Sequence, residues 1–405
     1  MDGSVDSVRV LVLLALYSLF DPRGIQTWTI VGIITRQAMI LSLARRETTF
    51  GASSISSVES LHRLYWSVYA LDRMVAMSVG QHPGLPGENI DIPLPAVTVD
   101  EFASPHRSDI SSMLQVSHHV IQLRRLESKI LESVHLCDRT KVSSMGSSDR
   151  TAIRDNIQYE IDNWYSAGCL IARPDTRNVR IHDTMAWLNA RYYQLLLTLY
   201  YPCHFNRRAR PITNEKLLSF VGKYIHYDHV LLEQRQLPLN YITLCRLVPV
   251  SLVLIHCFVC SVDTIFPAKG EVQSCIAILR AFPDDWNYAH SLAQLMTDFA
   301  LFVSSYESRT ASGLVPSRTI PLTRPVSEPS LKSWLEALRK QVVTIGGHIM
   351  GRSNCFQYFD EWDEVAQSVL PESHHAPLDY LSDEPPSIQG LLNDQMNTEI
   401  EFGFL

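Results

Sequence analysis

ESLHRLYWSVYALDRMVAMSVGQHPGLPGENIDIPLP, residues 59–95, decides how this chain folds. Leu61, Leu64, Val68, Leu71 and Val75 recur every three or four residues, the spacing that stripes one face of an α-helix. Gly80 can take the left-handed conformation that closes a helix, and Pro83 and Pro86 prevent its resumption. The stretch predicts a buried helix that runs into a proline-stiffened exit loop. Glu59 and Arg63 stand at i,i+4 in the favoured order, worth roughly a few tenths of a kcal/mol if exposed.

The same periodicity continues in both directions. It predicts helices near 5–19, 28–46, 56–79, 108–137, 151–166, 182–201, 214–234, 239–265, 285–306, 328–346 and 354–370. Strand-like alternation is scarce and no repeat of fixed period is evident, so the expected class is all-α: a large multi-helix domain with proline-rich loops. Residues 80–107 and 308–330 are the proline-rich loops, and the Ser-rich 139–150 (RTKVSSMGSSDR) is expected to be a mobile polar connector. The organisation expected is one domain over 8–370, with lobes 8–138 and 151–370, and a disordered acidic tail over 371–405.

Composition narrows the function. With 405 residues and 46% hydrophobic residues, the chain has enough apolar mass for a substantial core. The net charge of -7 is uneven: residues 353–405 contain no Lys or Arg and eleven acidic residues, which leaves 1–352 at +4. No dense basic stripe of the kind that tracks nucleic acid is present. Eight cysteines in a chain of this size that opens MDGSVDS point away from a secreted disulfide framework. The apolar run 247–265 contains Pro249, Ser251, His256 and Asp263, so a buried helix is expected there rather than a membrane span.

The tail interleaves Leu391, Leu392, Met396, Ile400, Phe402 and Phe404 with acidic and amide residues. Acidic charge keeps such a segment solvated while its apolar side chains stay available to a partner, the composition of an activation segment. Docking of the last hydrophobic residues on the chain's own domain is the plainer alternative.

The word pattern around the opening stretch adds a resemblance. Glu59-x3-Arg63-x2-Trp66, then Tyr69, Leu71-Asp72-Arg73, Gly80-x2-Pro83 and Ile90-Asp91-Ile92-Pro93-Leu94-Pro95 resemble the fungal-specific transcription factor domain. That domain is the helical middle homology region found downstream of a binuclear zinc cluster. Val8 to Tyr17, Trp28, Gly32, Arg36, Ala38 and Leu41 to Arg45 fall where the family carries its first helix and its W…G…A…LGLHR element. Tyr192 to Pro202 is similar to its later Y…LLL…RP helix. Roughly the first two hundred residues are covered. Ser42-Leu43-Ala44 stands where the family has Gly-Leu-His, and the arginine run before the tryptophan is thinned to His62-Arg63.

The resemblance implies a transcription regulator in the nucleus, a scaffold for homo- or heterodimerisation or for a small-molecule effector. No six closely spaced cysteines precede Cys137, so DNA is expected to be reached only indirectly, with zinc relevant only if a zinc-cluster segment lies upstream. The alternatives are a partner or titrator of an intact zinc-cluster regulator, and a helical small-molecule enzyme. Against the enzyme stand the absence of G-x-S-x-G, H-E-x-x-H, a phosphate loop and a dinucleotide fingerprint. Cys257-x2-Cys260 sits in an apolar run without a second pair, which favours buried cysteines over a metal site. No catalytic, cofactor-binding or metal-ligating residues are assigned. Asp72 and Arg73 could bind an inducer; a structural ion pair, or a hydrogen bond to the 81–86 loop, is the favoured role.

Overall fold

The computed structural model describes residues 4–23, 26–46, 55–87, 90–172, 180–260, 269–311 and 331–357. These form thirteen α-helices and no strand. They are α1 Val5–Ser18, α2 Thr27–Ile40, α3 Ile55–Val79, α4 Val99–Phe102, α5 Arg107–Ile130, α6 Arg139–Ser144, α7 Ser147–Ile171, α8 Met185–Leu199, α9 Asn214–Glu233, α10 Tyr241–Cys260, α11 Lys269–Arg280, α12 Asn287–Ala311 and α13 Leu331–Met350. A π-helical turn, Leu131–His135, extends α5.

Neighbours in sequence are mostly neighbours in space. Helix α1 packs on α2, α2 on α3, α3 on α5, α5 on α7, α7 on α8 and α8 on α9. Helix α11 packs on α9 and on α12, and α13 lies along α10. Helix α10 closes the arrangement by touching α3, α9 and α12 as well. Its window Tyr241–Phe258 is apolar enough to cross a membrane, yet 83% of it is buried inside the fold, as the reading of a core helix requires.

Helix α1 buries Val8, Leu11 and Ala15 and leaves Val10, Leu13, Leu14, Leu16 and Tyr17 exposed, with exposed Phe20 just beyond its end. An apolar strip of that length is the kind of surface that marks a contact site.

The ends of three helices share one device. Within two residues of the ends of α2, α3 and α9 one residue takes positive φ: Ser42 at 51°, Gly80 at 66° and Arg235 at 57°. In each case the next amide reaches five residues back, Leu43 to Ala38, Gln81 to Ala76 and Gln236 to Leu231, so the orphan carbonyls of the last turn are satisfied. This is why α2 stops at Ile40 instead of continuing to 46. Gly80 is the single glycine of the three, and a Cβ there would lie 2.9 Å from the amide and sulfur of Cys355. Since left-handed backbone costs a residue with a Cβ roughly 1–2 kcal/mol, Ser42→Gly and Arg235→Gly are each expected to raise stability by about 0.5–1 kcal/mol. Chemical denaturation measures this, and a loss of stability in both variants would refute it.

Other expectations need correction. The connector 139–150 is helical over Arg139–Ser144 and again from Ser147. Asp138 caps it by accepting from the Thr140 amide, Val142 is buried, and Arg150, 0% exposed, donates to the carbonyls of Val142, His204 and Phe205. The 80–107 loop contains the one-turn α4, fixed by a reciprocal Thr98–Glu101 capping box. Helix α11 was not expected at all. Of the helix predicted over 354–370, the described part is a 3₁₀ turn, Cys355–Gln357. Residues 371–405, with Leu391, Leu392, Met396, Ile400, Phe402 and Phe404, lie outside the described residues, as does 312–330.

Burial sets a pH limit on this core. Desolvation holds His119, His135, His182 and His256 down to about 4, so they are neutral when folded. Unfolded histidines titrate near 6.5. Their folded values are depressed, so stability is fully present above about pH 6.5 and is lost as pH falls toward about 4. Unfolding near pH 5 is expected to take up two to four protons, about one per histidine. Denaturant melts from pH 4.5 to 7.5 give that number from the slope, and a flat profile would contradict it.

Candidate functional site

Five side chains of α3 reach along the returning segment 84–101 and hold it by its backbone. Helix and segment run in opposite directions, so the contacts pair in reverse order. At the far end, the Asp72 carboxylate accepts from the amides of Gly84, at 2.8 Å, and Leu85, at 3.0 Å. Arg73 Nη1 donates to Asp72 at 2.6 Å, and its Nη2 donates to the Leu85 carbonyl at 2.9 Å. In the middle, Trp66 Nε1 donates to the Pro93 carbonyl at 2.7 Å. At the near end, Glu59 accepts from the Ala96 amide at 2.8 Å, while Arg63 donates to the Ala96 carbonyl and, with both terminal nitrogens at 2.7 Å, to Glu101. From α5, the His118 ring completes the set on the Pro95 carbonyl at 2.6 Å.

Prolines explain why side chains are needed here. A segment rich in proline has few amides, so it cannot pair its own carbonyls in a helix or ladder. The α3 side chains satisfy the carbonyls of Leu85, Pro93 and Ala96 instead. Gly84 lies so close to α2 that a Cβ would sit 2.7 Å from the Thr35 hydroxyl.

The electrostatics of the two ends differ. Asp72 and Arg73 are each 1% exposed at the side chain. Burial pushes the Asp72 carboxyl up, and the two amide donors and the guanidinium oppose it. Arg73 also lies 4.1 Å over the Tyr69 ring. At the other end, the Arg63 guanidinium and the Thr98 amide hold Glu101 at about 2, well below the usual carboxylate range. The clamp therefore uses its charges on its own loop and its own neighbours, which is a positioning role.

The remaining signature residues are scattered around it. Trp28 is partly buried against the core. Pro83 is half-buried in the loop, and Asp91 is exposed, its amide donating to the Ala44 carbonyl at 3.0 Å while Arg46 donates to its own carbonyl at 2.9 Å. Gly32 is exposed, and a Cβ there would meet nothing within 4 Å, so the described structure does not explain a glycine. No three His, Cys, Asp or Glu side chains converge as a metal site among the described residues, and Cys257 is 0% exposed.

A second polar assembly, not anticipated from the sequence, lies deeper. Arg124 and Glu127 on α5, Arg191 and Gln194 on α8, Tyr224 and Asp228 on α9 and Arg246 on α10 come together inside the bundle. Arg124 donates to Glu127 at 2.5 Å. Arg191 donates to Gln194 at 2.5 Å and to Asp228 at 2.9 Å. Arg246 comes only to 3.8 Å of the other Glu127 oxygen, longer than a hydrogen bond. Burial, and next Arg191, pull its guanidinium down to about 9, which leaves it protonated at neutral pH. Arg246 stands between Cys245 and Leu247 and Arg191 between Ala190 and Tyr192, single charges in apolar runs, and that is the signal by which a sequence could have flagged these two.

The assembly borders a cavity where the end of α3 meets α8, α9, α10 and the 355–357 turn. Met77, Gln194, Tyr224, Arg246, Pro249 and Phe356 line it. Its free space is about 20 Å³, room for one water-sized group. Pro249, inside α10, lies on its wall and offers no amide to the carbonyl four residues earlier. A larger open groove of about 540 Å³ lies between α5, α6 and α7, but its Lys129 is already paired with Glu160.

Comparison with known proteins adds the context of the clamp. The chain is 31% identical over 319 residues to Protein STB5 of Saccharomyces cerevisiae, covering 73% of this chain and 41% of that protein. It is 34% identical over 167 residues to the negative regulator of pleiotropic drug resistance STB5 of Candida glabrata, covering 41% of this chain and 16% of that one. It is 21% identical over 199 residues to an ABC-transporter-regulating transcription factor of Aspergillus fumigatus, covering 48% of this chain and 22% of that one. The chain thus spans at most about two fifths of the length of these curated relatives. No solved structure matches. The family model for the fungal specific transcription factor domain matches residues 2–166, the region that contains α3 and its clamped loop. Residues 2–166 of this chain are a fungal specific transcription factor domain.

Proposed function

We infer that this chain is the helical regulatory part of a fungal transcription regulator. One observation carries the reading: the domain match falls on the same residues whose side chains build the α3 clamp. The scaffold so fixed acts in the nucleus, receives a small effector and passes its state to co-regulators or the transcription machinery. DNA is reached through a zinc cluster on a longer polypeptide or on a homo- or heterodimeric partner, and zinc belongs to that segment. The names of the Candida glabrata and Aspergillus fumigatus relatives favour transporter and drug-resistance genes as targets.

Fusing residues 1–405 to a heterologous DNA-binding domain tests this. Reporter output is expected to change at least fivefold relative to the DNA-binding domain alone, and removal of 371–405 to abolish most of any activation. A fusion that is folded and bound to its reporter yet changes nothing would exclude the reading. Activation that survives loss of the tail would remove the tail from it.

A further inference from the structure

Helix α1 carries a second apolar row besides the one it buries. Val10, Leu13 and Tyr17, with Phe20 just past the helix end, are 55 to 67% exposed and follow one another at steps of three, four and three residues. That is the heptad spacing of a helix seam, whose side chains are buried by a second helix. Leu14 and Leu16 flank the row and are also exposed, while Val8, Leu11 and Ala15 on the opposite side enter the core. These six side chains leave roughly 600 Å² of apolar surface open on each copy, so a pair of copies would bury about 1,200 Å², the lower limit for a specific stable interface.

We propose that this row is a self-association surface, on which α1 of one copy lies antiparallel to α1 of a second copy of this chain. The row is symmetric about position 15, so reversal matches it to itself: Val10 meets the second copy's Phe20, and Leu13 meets its Tyr17. Charge selects the direction. Asp6 stands one heptad step before Val10 and is exposed. In a parallel pair it would face its own copy, and like charges repel. In the antiparallel pair it comes to the end of the other helix, beside the second copy's Arg23, whose side chain is 80% exposed even with Asp285 at 3.4 Å. The acidic segment 371–405 matches this row less well, because Arg9 is the single basic residue of α1 and already bonds Asp6 and Ser60. The pairing gives a surface to the homodimer inferred above and rests on that reading only for its biological role.

Sedimentation equilibrium on the purified 405-residue chain, from about 1 to about 100 µM, reads the pairing directly. The average mass is expected to rise from one chain toward two across this range. Leu13→Glu and Tyr17→Glu each change an open side chain, so both are expected to raise the dissociation constant at least tenfold with helix content by circular dichroism unchanged. Disulfide trapping reads the direction. Chains carrying Val10→Cys, mixed with chains carrying Phe20→Cys, are expected to cross-link under mild oxidation, and neither variant alone to do so beyond the wild type. A chain that stays monomeric at about 100 µM would overturn the surface, as would a dimer that neither glutamate weakens. Val10→Cys chains that cross-link to one another would overturn the antiparallel arrangement. No reporter or DNA takes part, so this surface and the regulatory reading can fail separately.

Discussion

Asp72→Ala is expected to destabilise the protein by about 3–5 kcal/mol, because it strands a charge inside the fold. The carboxylate is 1% exposed and serves three donors at once, the Gly84 and Leu85 amides and Arg73 Nη1. Alanine leaves Arg73, also 1% exposed, without its counter-charge, and leaves two backbone amides without an acceptor. Asp72→Asn keeps the shape and one acceptor oxygen but turns the other into a donor and removes the charge, so about half the loss is expected. Urea titration of both variants gives the two values. A loss below about 1 kcal/mol for Asp72→Ala would mean that water reaches the site and that the 84–101 segment is not held in the way described.

Asp228→Ala is expected to cost a similar amount, about 3–5 kcal/mol, for a related reason. Asp228 is 0% exposed and holds Arg191 Nη2 at 2.9 Å, between α9 and α8. Removing it leaves Arg124, Arg191 and Arg246 against Glu127 alone. Urea titration of the variant gives the value, and a loss below about 1 kcal/mol would mean that solvent reaches Arg191 between α9 and α8.

Much of the first half of the fold was legible in residues 59–95. A stripe of Leu64, Val68, Leu71 and Val75 has to be buried somewhere, and a glycine followed by Pro83 and Pro86 has to end the helix, whatever lies opposite. What each side chain grips was not legible. Glu59, Arg63, Trp66 and Asp72 reach residues 12 to 38 positions away, and nothing local fixes which carbonyl or amide they meet. Helix α11 went unseen although Val272, Cys275, Ile276 and Leu279 have helical spacing, because Lys269, Glu271 and Gln273 around them dilute a 12-residue segment. Periodicity extends α2 to 46 because serine at 42 gives no warning of a left-handed residue; the hydrogen bond from Leu43 to Ala38 accompanies it.

The sequence by itself therefore determined the helical class, the course of α3 and the stop after it, since periodicity, proline and glycine act through the local backbone. Only the tertiary structure decided that α3 clamps its own exit loop, and that Arg124, Arg191 and Arg246 meet Glu127 and Asp228 around one cavity. Those five residues come from four helices between positions 124 and 246, and no local pattern in the chain joins one helix's charges to another's. Their effect depends on distances of 2.9–3.8 Å across helix interfaces, and packing sets such distances, not the chain's local preferences.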